Sequence, residues 1–282
     1  MITVLNPGIY STIQDLGRVG FAHIGVPISG AMDSHSASIG NQLLNNKKNA
    51  AVLEITFGGC KLRFEKAAQI SITGADFNPA INGSHVAMNA IIDVKEGSTL
   101  TFGKKVFGVR TYIAISGGIQ SEEILKSRSL YRGVSTTSLL KKGDIIPYNS
   151  NSFIPEKKFS KIKIDANHFS SNTVNCTEGP EFELLSEKQQ NAILKTVFTI
   201  SNNNNRVGYQ LKEFVENNLK PILTSGVLPG TVQLTPSGKL IVLMRDCQVT
   251  GGYPRVLQLS DDAIAKLSQK IAGDEVRFWL NL

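Results

Sequence analysis

The chain repeats one pattern along much of its length: a short run rich in β-branched residues, closed by turn residues. "AVLEIT" (51–56), "KLRF" (61–64), "AQISIT" (68–73), "HVAMNAIIDV" (85–94), "STLTF" (98–102) and "VRTYIAI" (109–115) follow it. So do "TVQLT" (231–235), "KLIVLM" (239–244), "RVLQL" (255–259) and "EVRFWL" (275–280). β-Branched side chains fit a pleated surface, and glycine supplies the turn dihedrals between runs. Many short strands at even spacing predict a mainly β chain of barrel or sandwich type, with a few short helices. Three helices are expected. "MDSHSASIGNQLLNN" (32–46) has Asp33 or Ser34 as its cap, "SEKQQNAILKTVF" (186–198) opens with a Ser186/Gln189 capping box, and "SDDAIAKLSQKIAG" (260–273) is capped by Ser260.

A smaller phrase recurs within this pattern. "KKGDIIPY" (141–148) and "IAGDEVRFWL" (271–280) each set a Gly-Asp turn before an alternating run, and "KEGSTLTFG" (95–103) is a near copy. It hints at two related β units. The polar stretch 149–170, "NSNSFIPEKKFSKIKIDANHFS", reads as the boundary, with units at 1–158 and 159–282. Within it "KIKID" is a candidate first strand of the second unit, and "SNNNNR" (201–206) reads as a polar loop.

Composition bounds the function classes. At 41% apolar and 19% charged residues the chain has enough apolar surface for sizeable cores and is not of the disordered class. Its net charge, 30 − 23 = +7, is scattered in pairs such as Lys47-Lys48 and Lys104-Lys105, without a basic stripe interleaved with aromatics. That reads as a solvated surface or a small anionic ligand, and not as a nucleic-acid module. Cys60, Cys176 and Cys247 are odd in number and far apart, which predicts buried thiols and neither a disulfide framework nor a zinc site. The first residues have no basic region ahead of an apolar core, and no apolar run approaches the roughly 18 residues of a span, so a cytoplasmic location is expected.

Two glycine-dense stretches carry charges. The first is "QDLGRVGFAHIGVPISGAMD" (14–33), with Gln14, Asp15, Arg18 and Gly30. The second is "RDCQVTGGYPRV" (245–256), with Asp246, Gln248, Gly251, Gly252, Tyr253 and Arg255. Glycine permits positive φ and close approach of backbone donors to a ligand. Arginine grips carboxylate or phosphate bidentately. Asp15 or Asp246 would act as a general base or orient a neighbouring donor. The structural alternative is a pair of well-made turns with local Asp–Arg bridges. A third stretch, "GGIQSEEILKSRSLYRG" (117–133), reads either as an anion-gripping loop using Arg128 and Arg132 or as a short helix capped by Ser121. Walker, dinucleotide-fold and nucleophile-elbow motifs are absent from the sequence.

Ordered motifs then point to a family. "PGIYSTIQDLGRVGFAHIGVPISGAMD", "NAAVLEITFGG", "YIAISGGI", "SRS", "EGPEF", "NRVGYQL", "SGVLPGTVQLTPSGKLIVLMRDCQVTGGYPRV" and "GDEVRF" together resemble the allophanate hydrolase subunit 2 / KipA family, over essentially the whole chain. The resemblance implies two cyclophilin-like β-barrel units and a subunit 1 / KipI-type partner. For members acting as the C component of an ATP-dependent 5-oxoprolinase it also implies a third subunit and opening of the 5-oxoproline lactam to glutamate, with ATP bound here or shared with the partner. In that role Asp15, Arg18 and Asp246 are the expected catalytic residues. Gln14, Gly30, Arg128, Arg132, Gln248, Gly251, Gly252, Tyr253 and Arg255 are expected to bind substrate or nucleotide. The alternative roles are a carboxyltransferase component using biotin on a separate protein, and a non-enzymatic antagonist of a KipI-type kinase inhibitor. Met32, Met88 and Met244 are not followed by lysine, so the chain has no Met-Lys biotin acceptor. Two departures stand out. Leu130 stands where the family's Ser-Arg-Ser-Thr run has threonine, and Gln210 stands where "NRVGYQL" usually has a second arginine.

Overall fold

A computed structural model describes residues 1–149, 162 and 165–281. The chain divides into two compact units: Met1–Arg18 with Ser29–Ala166, and Val19–Ile28 with Asn167–Leu282. The expected boundary at 158/159 and most of "KIKID" lie outside the described residues. The first glycine-rich stretch is shared between the units, since Val19–Ile28 clusters with the second.

The first unit holds two antiparallel sheets. One has six strands in the order Ile145–Ile146, Ile2–Asn6, Lys61–Phe64, Thr99–Phe102, Pro79–Ile81, Ser84–His85. The other has five, in the order Tyr10–Gln14, Val52–Thr56, Phe107–Ile115, Ala68–Asp76, Ile91–Val94. Both supply one core: Ile2, Val4, Leu62, Phe64 and Leu100 from the first sheet, and Leu53, Ile55, Ile70, Ile72 and Ile113 from the second. Each is at most 1% exposed, and each such side chain contributes about 1.5–3 kcal/mol of burial. The second unit is a closed barrel of seven strands: Thr173–Glu178, Arg255–Leu259, Thr231–Leu234, Lys239–Leu243, Gly208–Phe214, Phe198–Asn204 and Glu275–Leu280. Thr173–Glu178 and Glu275–Leu280 pair in parallel.

The mainly β reading holds, and the strand runs fall where the sequence placed them. "HVAMNAIIDV" is broken, however: Ser84–His85 and Ile91–Val94 are separate strands, with Asn89 at φ +57° between them. "SNNNNR" is not a loop. Its asparagines continue the strand Phe198–Asn204, because the barrel needs a partner for Gly208–Phe214 and tertiary pairing overrides the weak local propensity. The helix expected to 198 ends at Lys195 for the same reason. Its Ser186/Gln189 capping box is present. Ser34–Leu43 is capped by Asp33, whose carboxylate accepts from the Ser36 amide and hydroxyl. Asp261–Ser268 is capped by Ser260.

The repeated Gly-Asp phrase is one turn built twice. The Lys141 amide donates to Asp144 Oδ2 at 2.8 Å, and the Ile271 amide to Asp274 Oδ2 at 2.9 Å. Gly143 and Gly273 take φ of +91° and +94°. All three cysteines are buried and free, with desolvation raising Cys60 to about 11 and Cys176 and Cys247 to about 12. Among the described residues no helix is long and apolar enough to cross a membrane.

Candidate functional site

The end of the strand Tyr10–Gln14 delivers Asp15 into a clip made by Ser127-Arg128-Ser129. Asp15 Oδ1 accepts from Ser127 Oγ at 2.6 Å, Ser129 Oγ at 2.6 Å and the Gly17 amide at 2.8 Å. Oδ2 accepts from the Arg128 amide at 2.6 Å. The Asp15 amide returns a bond to Ser129 Oγ at 3.0 Å. Every donor on the carboxylate is a hydroxyl or a backbone N–H. The "SRS" triplet is therefore a carboxylate holder, a role its residue types permit but its sequence position does not announce.

The neighbouring candidates support this clip. Gln14 is fully buried, and its amide donates to Thr12 Oγ1 at 3.1 Å and the Leu130 carbonyl at 3.2 Å. Arg18 is 1% exposed and donates to the Ser129 carbonyl. Gly30 has φ +95°, and a Cβ there would lie 2.9 Å from the Gly17 nitrogen and the Leu16 carbonyl carbon. Only glycine lets the 29–31 backbone lie against the Asp15–Gly17 turn, where the Ala31 amide bonds the Asp15 carbonyl at 2.8 Å. The loop beyond Gly30 is anchored from the sheet. Glu54 Oε2 accepts from the Met32 amide and from the Tyr112 hydroxyl, both at 2.8 Å, and Tyr112 Oη accepts from the Asp33 amide at 2.8 Å. Burial against Glu54 and Asp33 raises the Tyr112 phenol well above its ordinary value, so it stays a hydrogen-bonding group. Glu54 and Tyr112 do not stand out in the sequence. Both sit on strands as ordinary alternating positions, and only the fold shows that they point at the glycine loop.

A cavity of about 590 Å³ opens beside the clip, lined by Asp15, Asn45, Asn46, Lys47, Gly117, Gly118, Gln120, Glu123, Lys126 and Arg128 among others. Its floor is tied down by Asn46, which accepts from the Gly117 amide at 2.9 Å and donates to the Ile115 carbonyl at 2.8 Å. Arg128 gives its amide to Asp15, while its guanidinium stands 3.4 Å from Glu123. The segment 121–130 forms no helix. Ile124 and Ser127 pair across a turn in which Leu125 and Lys126 have φ of +52° and +61°. Arg132 is exposed on the following turn and is not among the residues lining the cavity. At the Leu130 departure, the backbone keeps its bonds to Gln14 and Ile13 while the side chain packs against the core.

The second glycine cluster lies in the other unit and is built differently. Asp246 is closed by Arg206 at 2.7 and 3.0 Å, and the Asp246 amide bonds the Arg206 carbonyl at 2.8 Å. The arginine comes from "NRVGYQL", forty residues away, and both side chains are about nine-tenths buried. Arg255 donates to Glu181 of "EGPEF" at 2.6 and 2.9 Å, and its amide donates to the same carboxylate at 2.8 Å. The Arg255 bonds hold the Glu181 carboxyl below its usual range, and the same pairing raises the arginine. At Gly251 a Cβ would lie 2.5 Å from the Gln233 side-chain Nε2, so a larger residue would displace that amide. Neither Gly251 nor Gly252 has positive φ. Gln248 and Tyr253 are exposed at the edge of this cluster. Gln210, at the second departure, accepts from Asn203 at 2.9 Å.

These features define a class. Residues 24–280 match the family described as carboxyltransferase domain, subdomain A and B, and the chain belongs to it. Within that class the chain is 31% identical over 288 residues to the C component of the 5-oxoprolinase of Escherichia coli (strain K12), covering 99% of this chain and 90% of that protein. It is 28% identical to the urea amidolyase of Lachancea kluyveri, across 98% of this chain but 16% of that protein. The crystal structure of the K. lactis urea amidolyase superposes with a TM-score of 0.86 and 26% identity, covering 99% of this chain and 18% of that one.

Proposed function

We propose that this chain is the C component of a 5-oxoprolinase, acting with a KipI-like subunit and a third subunit to open the lactam of 5-oxoproline to glutamate at the expense of ATP. The reading is carried by the match of 99% of this chain to 90% of a 5-oxoprolinase component, and the clipped Asp15 on the wall of the 590 Å³ cavity supplies its candidate site. A lactam resists water because its amide is resonance-stabilised. Transfer of a phosphoryl group from ATP to the carbonyl oxygen leaves an imidate carbon open to water. Water adds there, the ring C–N bond breaks as the nitrogen takes up a proton, and a second water hydrolyses the resulting acyl phosphate to glutamate and phosphate. In this reading Asp15 orients or deprotonates a reacting group through Oδ2, and the reading is supported by Oδ2 carrying one donor where Oδ1 carries three. Arg128 is a cation at the same cavity whose backbone amide is bound to Asp15, with its guanidinium against Glu123. In this assignment Asp246 and Arg255 shape the second unit through their ion pairs, and Gln248 and Tyr253 are the groups there left to meet substrate, nucleotide or a partner subunit. The ATP site is shared with the partners, and the complex is cytoplasmic.

A second reading is favoured by the urea amidolyase superposition. The cavity would then receive a carboxylated biotin ring carried on another protein. The two readings separate in one experiment. The chain is co-expressed with the proteins encoded beside it, and ATP-dependent glutamate release from 5-oxoproline is assayed with and without this chain. Release that requires this chain supports the first reading. Full release in its absence overturns it, and an avidin-retained partner favours the second.

A further inference from the structure

We propose that Lys126 and Lys47 form an anion-recognition subsite in the Asp15 cavity, taking the carboxylate or phosphate of a small ligand. The proposal rests on the reading above that this cavity is where the chain meets substrate. Lys126 lines the cavity with φ +61°, directly after Leu125 at +52°. Left-handed backbone disfavours a residue with a Cβ, and a two-residue hairpin turn demands it at both central positions, where Asn-Gly or Asp-Gly is the usual choice and Leu-Lys is not. Backbone of this kind persists where its surroundings over-determine it, and it concentrates at ligand sites. Here the surroundings are identifiable. The turn is closed by Ile124 and Ser127 bonding each other's backbone at 2.9 and 3.2 Å, and Ser127 Oγ and the Arg128 amide are both fixed on Asp15. The clip that holds the carboxylate therefore also fixes where Lys126 leaves the chain.

The charges around the cavity point the same way. The Asp15 carboxylate is bound by the Ser127 and Ser129 hydroxyls and the Arg128 and Gly17 amides, and Glu123 stands against Arg128. Among the described residues neither Lys47 nor Lys126 makes an ion pair or a side-chain hydrogen bond. Two exposed ammonium groups, each with three donors and no acceptor, therefore stand at the cavity wall without an ion-pair partner. An incoming oxyanion supplies the acceptors they lack. That oxyanion is the carboxylate of a lactam acid or a phosphate, and the probes below distinguish the two.

The test titrates the full chain calorimetrically with 5-oxoproline, with the neutral lactam pyrrolidin-2-one, and with inorganic phosphate. Lys126→Gly removes the charge in a residue that suits φ +61°, so it keeps the turn and leaves the melting temperature unchanged or raised. Lys126→Arg restores the charge, and Lys47→Ala tests the second ammonium. The expected result is that 5-oxoproline or phosphate binds the wild type, and that Lys126→Gly and Lys47→Ala each weaken it about tenfold or more, the loss of one charge-assisted bond. Lys126→Arg retains most of the affinity, and pyrrolidin-2-one is indifferent to all three changes. Response of 5-oxoproline alone identifies the carboxylate as the ligand group, and response of phosphate alone identifies a phosphate. The subsite is overturned if neither anion binds the wild type, if Lys126→Gly and Lys47→Ala bind as the wild type does, or if the neutral lactam weakens in parallel. None of these outcomes bears on whether the assembled complex releases glutamate, so failure of the subsite and failure of the 5-oxoprolinase reading remain distinct.

Discussion

The two glycine-rich clusters each centre on a buried aspartate, and they hold it in opposite ways. Asp15 is held by two serine hydroxyls and two backbone N–H groups, none of them charged. Asp246 is held by the Arg206 guanidinium, and in the same cluster Arg255 is held by Glu181. Neutral donors fix the position of a carboxylate without consuming a cation, and in the first unit Lys126 and Lys47 stand at a cavity without an ion pair while Arg128 faces Glu123. In the second unit the arginines of the motif spend their charge inside the fold. A motif rich in arginine thus signals a binding surface only when its charge is not already matched by a carboxylate elsewhere in the chain. The carboxylates that match these arginines come from "EGPEF" and from the 245–256 cluster itself.

The sharpest way to break this contrast is to remove one member of the buried pair. Arg206→Met leaves Asp246 buried without its counter-charge and should cost about 3–5 kcal/mol in a denaturant titration. The double variant Arg206→Met/Asp246→Leu should recover most of that loss. If the single and double variants are equally destabilised, Asp246 has another role in the fold. Next in size is Gly30→Ala. The added Cβ meets the Gly17 and Leu16 backbone at 2.9 Å and must take φ +95°, which should cost about 2–4 kcal/mol and loosen the Asp15 turn without touching any charge. A neutral result would mean that the turn does not depend on that contact. The smallest effect concerns acid. Glu181 is depressed in the folded state by Arg255, so its contribution is present above the ordinary carboxylate range and is lost as pH falls through its folded value. Unfolding free energy measured from about pH 5 to pH 2 should fall more steeply for the wild type than for Glu181→Gln, by about 1 kcal/mol. Identical slopes would show that the pair is too solvated to matter.

Much of this architecture is legible in the sequence, because it depends on local rules. The strand runs, the Ser186/Gln189 capping box, the Asp33 and Ser260 caps and the Gly-Asp turns are each set within a few residues. What stays hidden is pairing over distance. The asparagines at 202–204 form a strand only because Gly208–Phe214 lies beside them. The Arg206 partner of Asp246 is forty residues away, and the Ser127, Arg128 and Ser129 partners of Asp15 are more than a hundred. Local Asp–Arg bridges, the natural reading of "QDLGR" and "RDCQ", give way to these longer closures. The cavity is likewise assembled from a turn at 116–118, the end of the helix Ser34–Leu43 and the "SRS" segment. No spacing rule relates these pieces, so neither Lys47 nor Lys126 stands out until the turns are seen folded.

The central claim is that the neutral clip keeps Asp15 for chemistry while the charged clip in the second unit serves structure. Its most direct test is the turnover number for glutamate formation by the assembled, co-purified complex carrying either Asp15→Asn or Arg206→Met/Asp246→Leu. The account predicts that Asp15→Asn lowers kcat about hundredfold or more while the complex still assembles. It predicts that the double variant, once folded, turns over within a few-fold of the wild type. Wild-type turnover in Asp15→Asn, or loss of turnover in a fully folded double variant, would contradict it.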